Sequence, residues 1–219
     1  MKFINNSNDL TRYLDVPVKK NIDIKSISTD TRSIKKGALF IAIKGDVFNG
    51  NDYVEIAISK DACLVITDDK KFKDSKNKKI IYVSNSILAL RNISRNIIKE
   101  YSGNIIGITG SNGKTSTTNI IANSLKNCSS TLKNFNNEIG VPLSIMNANR
   151  QSKSLVIEMG AAKINDIDYL SSFLKPNIGV ITNIGNSHLE SLKNIKGVFK
   201  VKSELIRNIK KNGCLVIPN

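Results

Sequence analysis

The sequence lacks the features that would place it in a membrane. It has 219 residues, no tryptophan and no apolar run long enough to cross a bilayer. Its first residues, MKFINNSNDLTRYL, are polar and have no apolar stretch of the signal-peptide kind. We therefore expect a cytoplasmic protein with no membrane insertion. Its 40% hydrophobic content is ordinary for a globular, core-forming chain.

Cysteine is also scarce, and the three that are present form no recognisable framework. Cys63, Cys128 and Cys214 are far apart and odd in number, so the paired spacing of a zinc site or a disulfide-rich domain is missing. Cys63 and Cys214 stand in the apolar runs ACLVITD and GCLVIP, where a thiol usually acts as a small buried hydrophobe. We expect these two thiols to be buried and chemically inert.

Acidic residues are few relative to basic ones. The 33 lysines and arginines and 18 acidic residues give a formal net charge of +15. Such a charge can drive nucleic-acid binding, because basic side chains neutralise phosphates. The lysines are scattered, however, and the basic face with interleaved aromatic residues that single-strand binders show is missing. We predict no nucleic-acid partner and keep a basic nucleic-acid-binding protein as the alternative from another functional class.

Two patterns of hydrophobic residues divide the chain. Up to about residue 84, short β-like runs alternate with turns and one helical segment, NDYVEIAISKDA. An amphipathic helix is predicted over 86–101. After Gly103, nearly continuous apolar strands alternate with glycine turns and helices, which is typical of a parallel sheet covered on both faces. The predicted fold is α/β, with a small mixed α/β domain over 1–84 and a parallel-sheet, P-loop ATPase-like domain over 85–219.

The clearest chemical signal is the segment GITGSNGKTST, which follows an apolar strand and opens a predicted helix. Gly110 and Gly113 allow the backbone to turn tightly and to present N–H groups to an anion. Lys114 is placed to reach terminal phosphates, and the hydroxyl of Thr115 is a natural magnesium ligand. The standard P-loop has another glycine where this sequence has Ile108, so this loop must be held in some other way.

Two further candidates follow the next strands of the predicted sheet. Glu158 closes the run SLVIE, and His188, the only histidine, lies in NIGNSHLES. The carboxyl ends of parallel strands meet at one edge, so we expect both residues near the phosphate loop. A carboxylate there can complete a magnesium site. The alternatives are that Glu158 only caps the next turn and that His188 is an ordinary surface residue.

Five motifs occur together in one order and spacing: TGSNGKTST, NFNNEIGVPLS, VIEMGA, NIGNSHLE and KVKSEL. In this they resemble the Mur ligase family of ATP-dependent amide-forming enzymes, whose loop has the same compact Gly-x-x-Gly-Lys-Thr form. The front segment STDTRSIKKGALFIAIKGD resembles the family's UDP-binding domain. The segment NFNNEIGVPL is similar to that of the members acting on UDP-N-acetylmuramoyl-tripeptide.

The resemblance implies an activity, its substrates and its cofactors. It implies ATP-dependent ligation of D-alanyl-D-alanine to UDP-N-acetylmuramoyl-tripeptide through an acyl phosphate, in peptidoglycan precursor synthesis. The implied cofactors are ATP and Mg²⁺, and we expect a monomer. Residues 1–84 would bind the UDP-sugar and residues 85–219 would bind ATP. Another Mur-type amide ligase remains the alternative within the same class of enzyme.

The resemblance also implies a role for individual residues. Lys114 would steady the γ-phosphate, while Thr115, Glu158 and His188 would bind magnesium. Lys202, in KVKSEL, matches a lysine that is carbamylated in many members. The implied nucleotide-binding set is Thr109, Gly110, Ser111, Asn112, Gly113, Lys114, Thr115, Ser116 and Asn137. The residues implied to contact the UDP-sugar substrate are Thr29, Asp30, Thr31, Arg32, Lys44, Gly45 and Asn136.

The chain departs from the family pattern at its end. It stops at Asn219, immediately after a predicted strand, whereas members carry the rest of the central sheet and a further carboxyl-terminal domain. We therefore expect the front part of a longer protein, with an unpaired sheet edge and exposed apolar surface. We also expect this chain by itself to bind the UDP-sugar weakly or not at all and not to ligate.

Overall fold

A computed structural model describes residues 2–14, 16, 18, 21–45, 47–132, 134–185 and 192–218. The chain forms two compact units, Met1–Ile97 and Ile98–Asn219. The division falls near the end of a long helix, whereas the predicted boundary at residue 84 lies just before that helix. None of the described helices combines the length and the hydropathy that a bilayer span requires.

The first unit is built on a parallel sheet of four strands in chain order. The strands are β1 (Ser26–Ser28), β2 (Ala38–Ile41), β3 (Leu64–Thr67) and β4 (Ile80–Tyr82). The helices are α1 (Ser7–Leu14), α2 (Val54–Ser59) and α3 (Ser86–Glu100), with 3-10 turns at Gly50–Tyr53 and Lys70–Phe72. Every residue of β2 and β3 is buried, which explains why all of them except Thr67 are apolar.

The second unit contains a five-stranded parallel sheet with the order β6-β7-β5-β8-β9. Its strands are β5 (Asn104–Thr109), β6 (Cys128–Ser130), β7 (Ser154–Glu158), β8 (Ile178–Ile181) and β9 (Cys214–Val216). Its helices are α4 (Lys114–Ser124), α5 (Gly140–Asn147), α6 (Asp166–Leu174) and α7 (Ile195–Lys202), followed by a 3-10 segment, Ser203–Asn208. The α/β prediction is confirmed.

The central strand β5 has β7 on one side and β8 on the other, so the carboxyl ends of these three strands meet at one edge. Their inner side chains pack into one cluster that includes Ile106, Ile108, Val156 and Val180. Gly107 allows close packing here, because a Cβ at that position would lie 2.9 Å from the Met159 methyl group. This core fixes the edge on which the polar loops stand.

Sequence patterns missed three helices and strands: α1, β6 and α5. Seven of the eight residues of α5 are buried. Its sequence, GVPLSIMN, therefore shows no apolar stripe on one face, which is the signal that identifies a surface helix. Pro142 is tolerated because it lies in the first turn, where a backbone N–H has no intrahelical partner.

The prediction that Cys214 is buried is wrong. Cys214 is exposed, and Val216 in the same strand is 50% exposed. The cause is position: among the described strands, β9 pairs only with β8 and forms an edge of the sheet. Cys63 is half-buried, and this burial raises the pKa of its thiol, as expected for an inert cysteine.

The core of the second unit yields a stability prediction. Ile108→Ala should lower the free energy of unfolding by about 2–5 kcal/mol, because it leaves a cavity beneath the central strand. Ile108 is fully buried, whereas Ile120 on α4 is 66% exposed. The matched variant Ile120→Ala should change the free energy by less than about 0.5 kcal/mol. Urea unfolding measures both, and equal losses would contradict this description of the core.

Candidate functional site

The loop between β5 and α4 has the backbone of an anion site. Gly113 is the N-cap of α4 and has a left-handed conformation, with φ of 77°. A Cβ built at Gly113 would meet no atom within 4 Å, so there is open space beside the backbone at the start of the helix. The N-terminus of a helix attracts anions through its free N–H groups and its dipole. The loop therefore fits a phosphate.

The segment that follows β8 holds this loop in place. The Thr182 hydroxyl donates to the carbonyl of Asn112 at 2.6 Å, and the Asn112 N–H donates to Oδ1 of Asn183 at 2.9 Å. The Ser111 N–H donates to the carbonyl of Asn183 at 3.2 Å. The Ser111 hydroxyl donates to the carbonyl of Gly185 at 3.0 Å and accepts its N–H at 2.9 Å. Both main-chain and side-chain groups thus fix the loop.

Close approach of these two segments explains the unusual glycine spacing. A Cβ at Gly110 would lie 1.9 Å from the Thr182 hydroxyl, and Gly110 has φ of 149°, where other residues are strained. Ile108 occupies the position of the missing P-loop glycine and is fully buried within β5. The loop therefore takes its shape from the segment after β8.

Lys114 places a positive charge across the loop. Its Nζ donates to the carbonyl of Gly110 at 2.8 Å and to that of Ser111 at 3.2 Å. These acceptors are neutral, so the charge of the ammonium group is not cancelled by them. A phosphate at the start of α4 can exchange with these carbonyls as a stronger, charged acceptor.

Glu158 connects the loop to two other segments of the second unit. It is only 2% exposed at the end of β7. Its Oε2 accepts from the Thr115 hydroxyl at 2.8 Å, and its Oε1 accepts from the Asn136 amide at 2.8 Å. Its own N–H donates to the Thr131 hydroxyl at 2.7 Å. The Glu158 carboxylate therefore does not simply cap the next turn. It lies beside the phosphate loop, where the strand pattern predicts it.

The chemistry of this pair suits magnesium. Thr115 and Glu158 bring a hydroxyl and a carboxylate oxygen within 2.8 Å of each other beside the loop. Magnesium prefers oxygen ligands, and proteins commonly hold it with one or two side chains plus water and substrate phosphates. Within the described ranges, no three His, Cys, Asp or Glu side chains form a cluster, as a structural zinc site would need. His188 lies outside the described residues, so its proximity stays a prediction.

Asn136 and Asn137 have clear local contacts. Besides its bond to Glu158, Asn136 accepts the N–H of Gly160 at its main-chain carbonyl, at 2.7 Å. The Asn137 side chain accepts the N–H of Gly140 at 2.9 Å, where α5 begins. The segment NFNNEIG is thereby tied to β7 and α5. The predicted contacts of Asn136 with substrate and of Asn137 with nucleotide stay predictions.

A cavity of about 840 Å³ adjoins these groups. Its lining residues come from three segments of the second unit: Lys114, residues 136–138, residues 160–166, Tyr169 and Leu170. The cavity is large enough for a small-molecule substrate. Its lining includes two basic residues, Lys114 and Lys163, and two acidic residues, Glu138 and Asp166.

Lys202 ends α7 and is buried, with only 1% of its surface exposed. Burial first, and then the charge of Lys114, lower the pKa of Lys202 to about 8, although Asp166 and Glu204 act in the opposite direction. A lysine on an amphipathic helix is normally a solvated charge. With a pKa of about 8, roughly a tenth of this amine is neutral at pH 7, far more than for an ordinary lysine.

The predicted substrate residues of the first unit lie at one edge of its sheet. Thr29–Arg32 follow β1, and Lys44 and Gly45 come shortly after β2, which pairs with β1 in parallel. Arg32 donates to both carboxylate oxygens of Asp30, which lowers the pKa of that carboxyl group. Gly45 donates to the carbonyl of Phe48 at 2.8 Å. Contact of these segments with a UDP-sugar stays a prediction.

Sequence reasoning missed Thr182, Asn183 and Gly185 as residues that shape the site. They are about 70 positions away from the loop that they contact. The only available signal was a polar pair directly after an apolar strand, at the edge where ligands of parallel sheets bind.

Comparison with known families gives two matches along the chain. A model described as "Mur ligase middle domain" matches residues 108–219, and one described as "Mur ligase family, catalytic domain" matches residues 23–99. The first match covers the loop, Glu158 and Lys202. The second covers the sheet of the first unit.

Two curated relatives are both named "UDP-N-acetylmuramoyl-tripeptide--D-alanyl-D-alanine ligase". The protein from Buchnera aphidicola subsp. Baizongia pistaciae is 40% identical over 199 residues, which are 90% of this chain and 43% of the relative. The protein from Bacillus subtilis is 35% identical over 196 residues, which are 88% of this chain and 43% of the relative. The chain thus spans less than half the length of these relatives.

Two solved structures are also similar to this chain. MurF from Acinetobacter baumannii has a TM-score of 0.84 and 27% identity, and the match covers 96% of this chain and 48% of that one. MurF ligase from Thermotoga maritima, in complex with ADP, has a TM-score of 0.78 and 31% identity. That match covers 88% of this chain and 45% of the other.

The hydrogen bond from Thr182 that helps to hold the phosphate loop can be tested without any ligand. Thr182→Val removes the donor to Asn112 with little change in shape, so amide hydrogen exchange at Ser111–Gly113 should become faster and stability should fall by about 1 kcal/mol. The control is Ser124→Ala, which removes a hydroxyl bond to Ile120 of 2.8 Å at the far end of α4. If both variants change amide exchange in the loop equally, the hydrogen bond from Thr182 does not specifically hold the loop.

Proposed function

Because this chain belongs to the Mur ligase family, we propose that it forms the ATP-binding and UDP-sugar-binding part of a ligase that joins D-alanyl-D-alanine to UDP-N-acetylmuramoyl-tripeptide. The observation that carries the proposal is the Thr115–Glu158 hydrogen bond of 2.8 Å beside the phosphate loop. The named activity of the relatives supports the choice of substrates. The first unit would take the UDP-sugar and the second unit the ATP.

The second unit would hold the phosphates of ATP with main-chain N–H groups and Lys114. The loop opens at the N-terminus of α4, where the helix dipole favours negative charge. Lys114 lies across the loop and can exchange its carbonyl acceptors for phosphate oxygens. The ADP complex of the Thermotoga maritima relative supports nucleotide binding at this fold.

Thr115 and Glu158 would hold magnesium. The ion, when bound, supplies positive charge that stabilises the transferring phosphoryl group. Asn136 keeps the Glu158 carboxylate oriented by donating to its second oxygen at 2.8 Å. Glu158 is nearly completely buried, so a cation bound to it would also offset the cost of burying its charge.

The protein would position the substrates and stabilise negative charge, and the reaction requires no protein nucleophile. A carboxylate of the muramoyl peptide attacks the γ-phosphorus of ATP, ADP leaves, and an acyl phosphate forms. The amine of D-alanyl-D-alanine then attacks the acyl carbon and displaces phosphate. Lys114 borders the cavity of about 840 Å³, so its charge would act on the phosphoryl oxygens and on the entering carboxylate.

Lys202 would be the modified lysine of the family. Its lowered pKa, about 8, leaves part of the amine neutral and nucleophilic. The neutral nitrogen can attack CO₂, forming an N–C bond and releasing one proton to solvent, to give a carbamate. The resulting negative charge would lie near Lys114, whose charge acts on Lys202.

Nucleotide binding by the second unit gives the direct test of the proposal. Lys114→Ala should raise the Kd for a non-hydrolysable analogue of MgATP by at least about ten-fold, equivalent to about 1.4 kcal/mol, because a charge-assisted contact with the γ-phosphate is lost. Lys126, an exposed lysine just after α4, provides the control variant Lys126→Ala, which should bind as the parent does. Calorimetry measures each Kd. No binding by the parent, or equal loss in both variants, would contradict the proposal.

Carbamylation of Lys202 has a spectroscopic test. With dissolved ¹³CO₂ held constant, a ¹³C carbamate signal should grow as the pH rises from about 7 to 9, because the neutral amine increases through a pKa of about 8. A lysine of ordinary pKa becomes neutral only near pH 10.4. Lys202→Met should remove a carbamate signal that Lys200→Met, at an exposed position of α7, retains; the α-amino group also reacts in this pH range and gives a signal common to both variants. Equal signals in the two variants would contradict the assignment.

A further inference from the structure

One wall of the cavity is an irregular segment between β7 and α6. Residues 160–165 form it and line the cavity beside Lys114 and Asn136. Asn165, its last residue, has a left-handed backbone with φ of 73°. Asparagine adopts this conformation more readily than other non-glycine residues, and here it turns the chain into α6. The contacts that fix this wall therefore decide the shape of the cavity.

Two carboxylates accept hydrogen bonds from N–H groups of the wall and of the helix that follows it. Asp166, at the start of α6, accepts from Ala162 at 2.8 Å and from Lys163 at 2.9 Å. Glu204 comes from a distant part of the chain, the 3-10 segment after α7. Its Oε1 accepts from Asn165 at 2.8 Å, and its Oε2 accepts from Asp168 at 3.0 Å.

Glu204 is itself only 4% exposed, so its charge is buried at the N-terminus of α6. The helix dipole and two N–H donors offset this burial. Neighbouring contacts fix the alignment of the 3-10 segment with α6. Asn208 donates to Oδ1 of Asp168 at 2.8 Å and to the hydroxyl of Ser171 at 3.0 Å.

We propose that Glu204 is a positioning residue that holds the cavity wall in the conformation required to bind the muramoyl peptide. The inference rests on the proposed function, because it assigns the cavity to that substrate. Glu204 stands two residues after Lys202, so the wall is linked to the chain segment that carries Lys202. Glu204 touches no reacting atom in this account and acts only through the wall.

Buried leucines on α6 and on the 3-10 segment allow this role to be separated from folding. Leu205 and Leu174 are fully buried and Leu170 is 2% exposed, and none of these changes when Glu204 is replaced. Glu204→Gln keeps the size of the side chain and one acceptor oxygen. Its NH₂ group then faces an N–H that needs an acceptor, so one of the two contacts is lost.

The first measurement is amide hydrogen exchange on the ligand-free chain. In Glu204→Gln, exchange at Asn165 or Asp168 should be about ten-fold faster, while amides of β5 should keep their rates. Ser203→Ala is the control, since it removes only a hydroxyl bond of 2.7 Å to Phe199. Unchanged exchange at both amides would overturn the proposal. If Glu204→Gln does not fold, the shorter Glu204→Asp should show faster exchange at one of the two amides.

The second measurement separates positioning from general structure. Glu204→Gln should raise the Kd for UDP-N-acetylmuramoyl-tripeptide by about ten-fold and leave the Kd for MgADP within about two-fold, because the nucleotide contacts lie in the loop after β5. A parallel rise in both Kd values would overturn the proposal. Absence of MgADP binding by the parent chain would count against the proposed function. Muramoyl-peptide binding too weak to measure is expected of this chain alone, and the exchange comparison would then decide the role of Glu204.

Discussion

The hydrogen bond between the Thr115 hydroxyl and the Glu158 carboxylate is the interaction on which the candidate site depends. It joins the first turn of α4 to the end of β7. The parallel register makes the contact possible, since Glu158 is the partner of Ile108, just before the loop begins. Without that register, the buried carboxylate would be separated from the phosphate loop.

The loop itself shows how a short glycine motif can work without the usual spacing. Contacts from Thr182, Asn183 and Gly185 shape it from outside, and Gly110 is required because Thr182 approaches so closely. Ile108 is therefore not needed to shape the loop and packs in the core of the sheet. On this account, the strands supply rigidity and the loops after β5, β7 and β8 supply the chemistry, as is usual for parallel sheets.

The sequence predicts those parts that leave a local pattern. The run NIIGIT marks β5, and SLVIE marks β7 with Glu158 at its end, because strands buried on both faces are continuously apolar. Helix α5 was not predictable in the same way, since burial all round removes its periodicity. The contacts of Thr182 and Glu204 join segments about 70 and about 40 residues apart, so no local pattern encodes them. Exposure of Cys214 likewise depends on strand order, which its own sequence does not contain.

The most direct test of the central claim is a crystal structure of the second unit's site with MgADP bound. The account predicts that the β-phosphate lies on the N–H groups at the start of α4, with the magnesium ion among the oxygens of Thr115, Glu158 and the phosphates. A structure in which the nucleotide binds elsewhere, or in which the ion has no contact with either side chain, would contradict it.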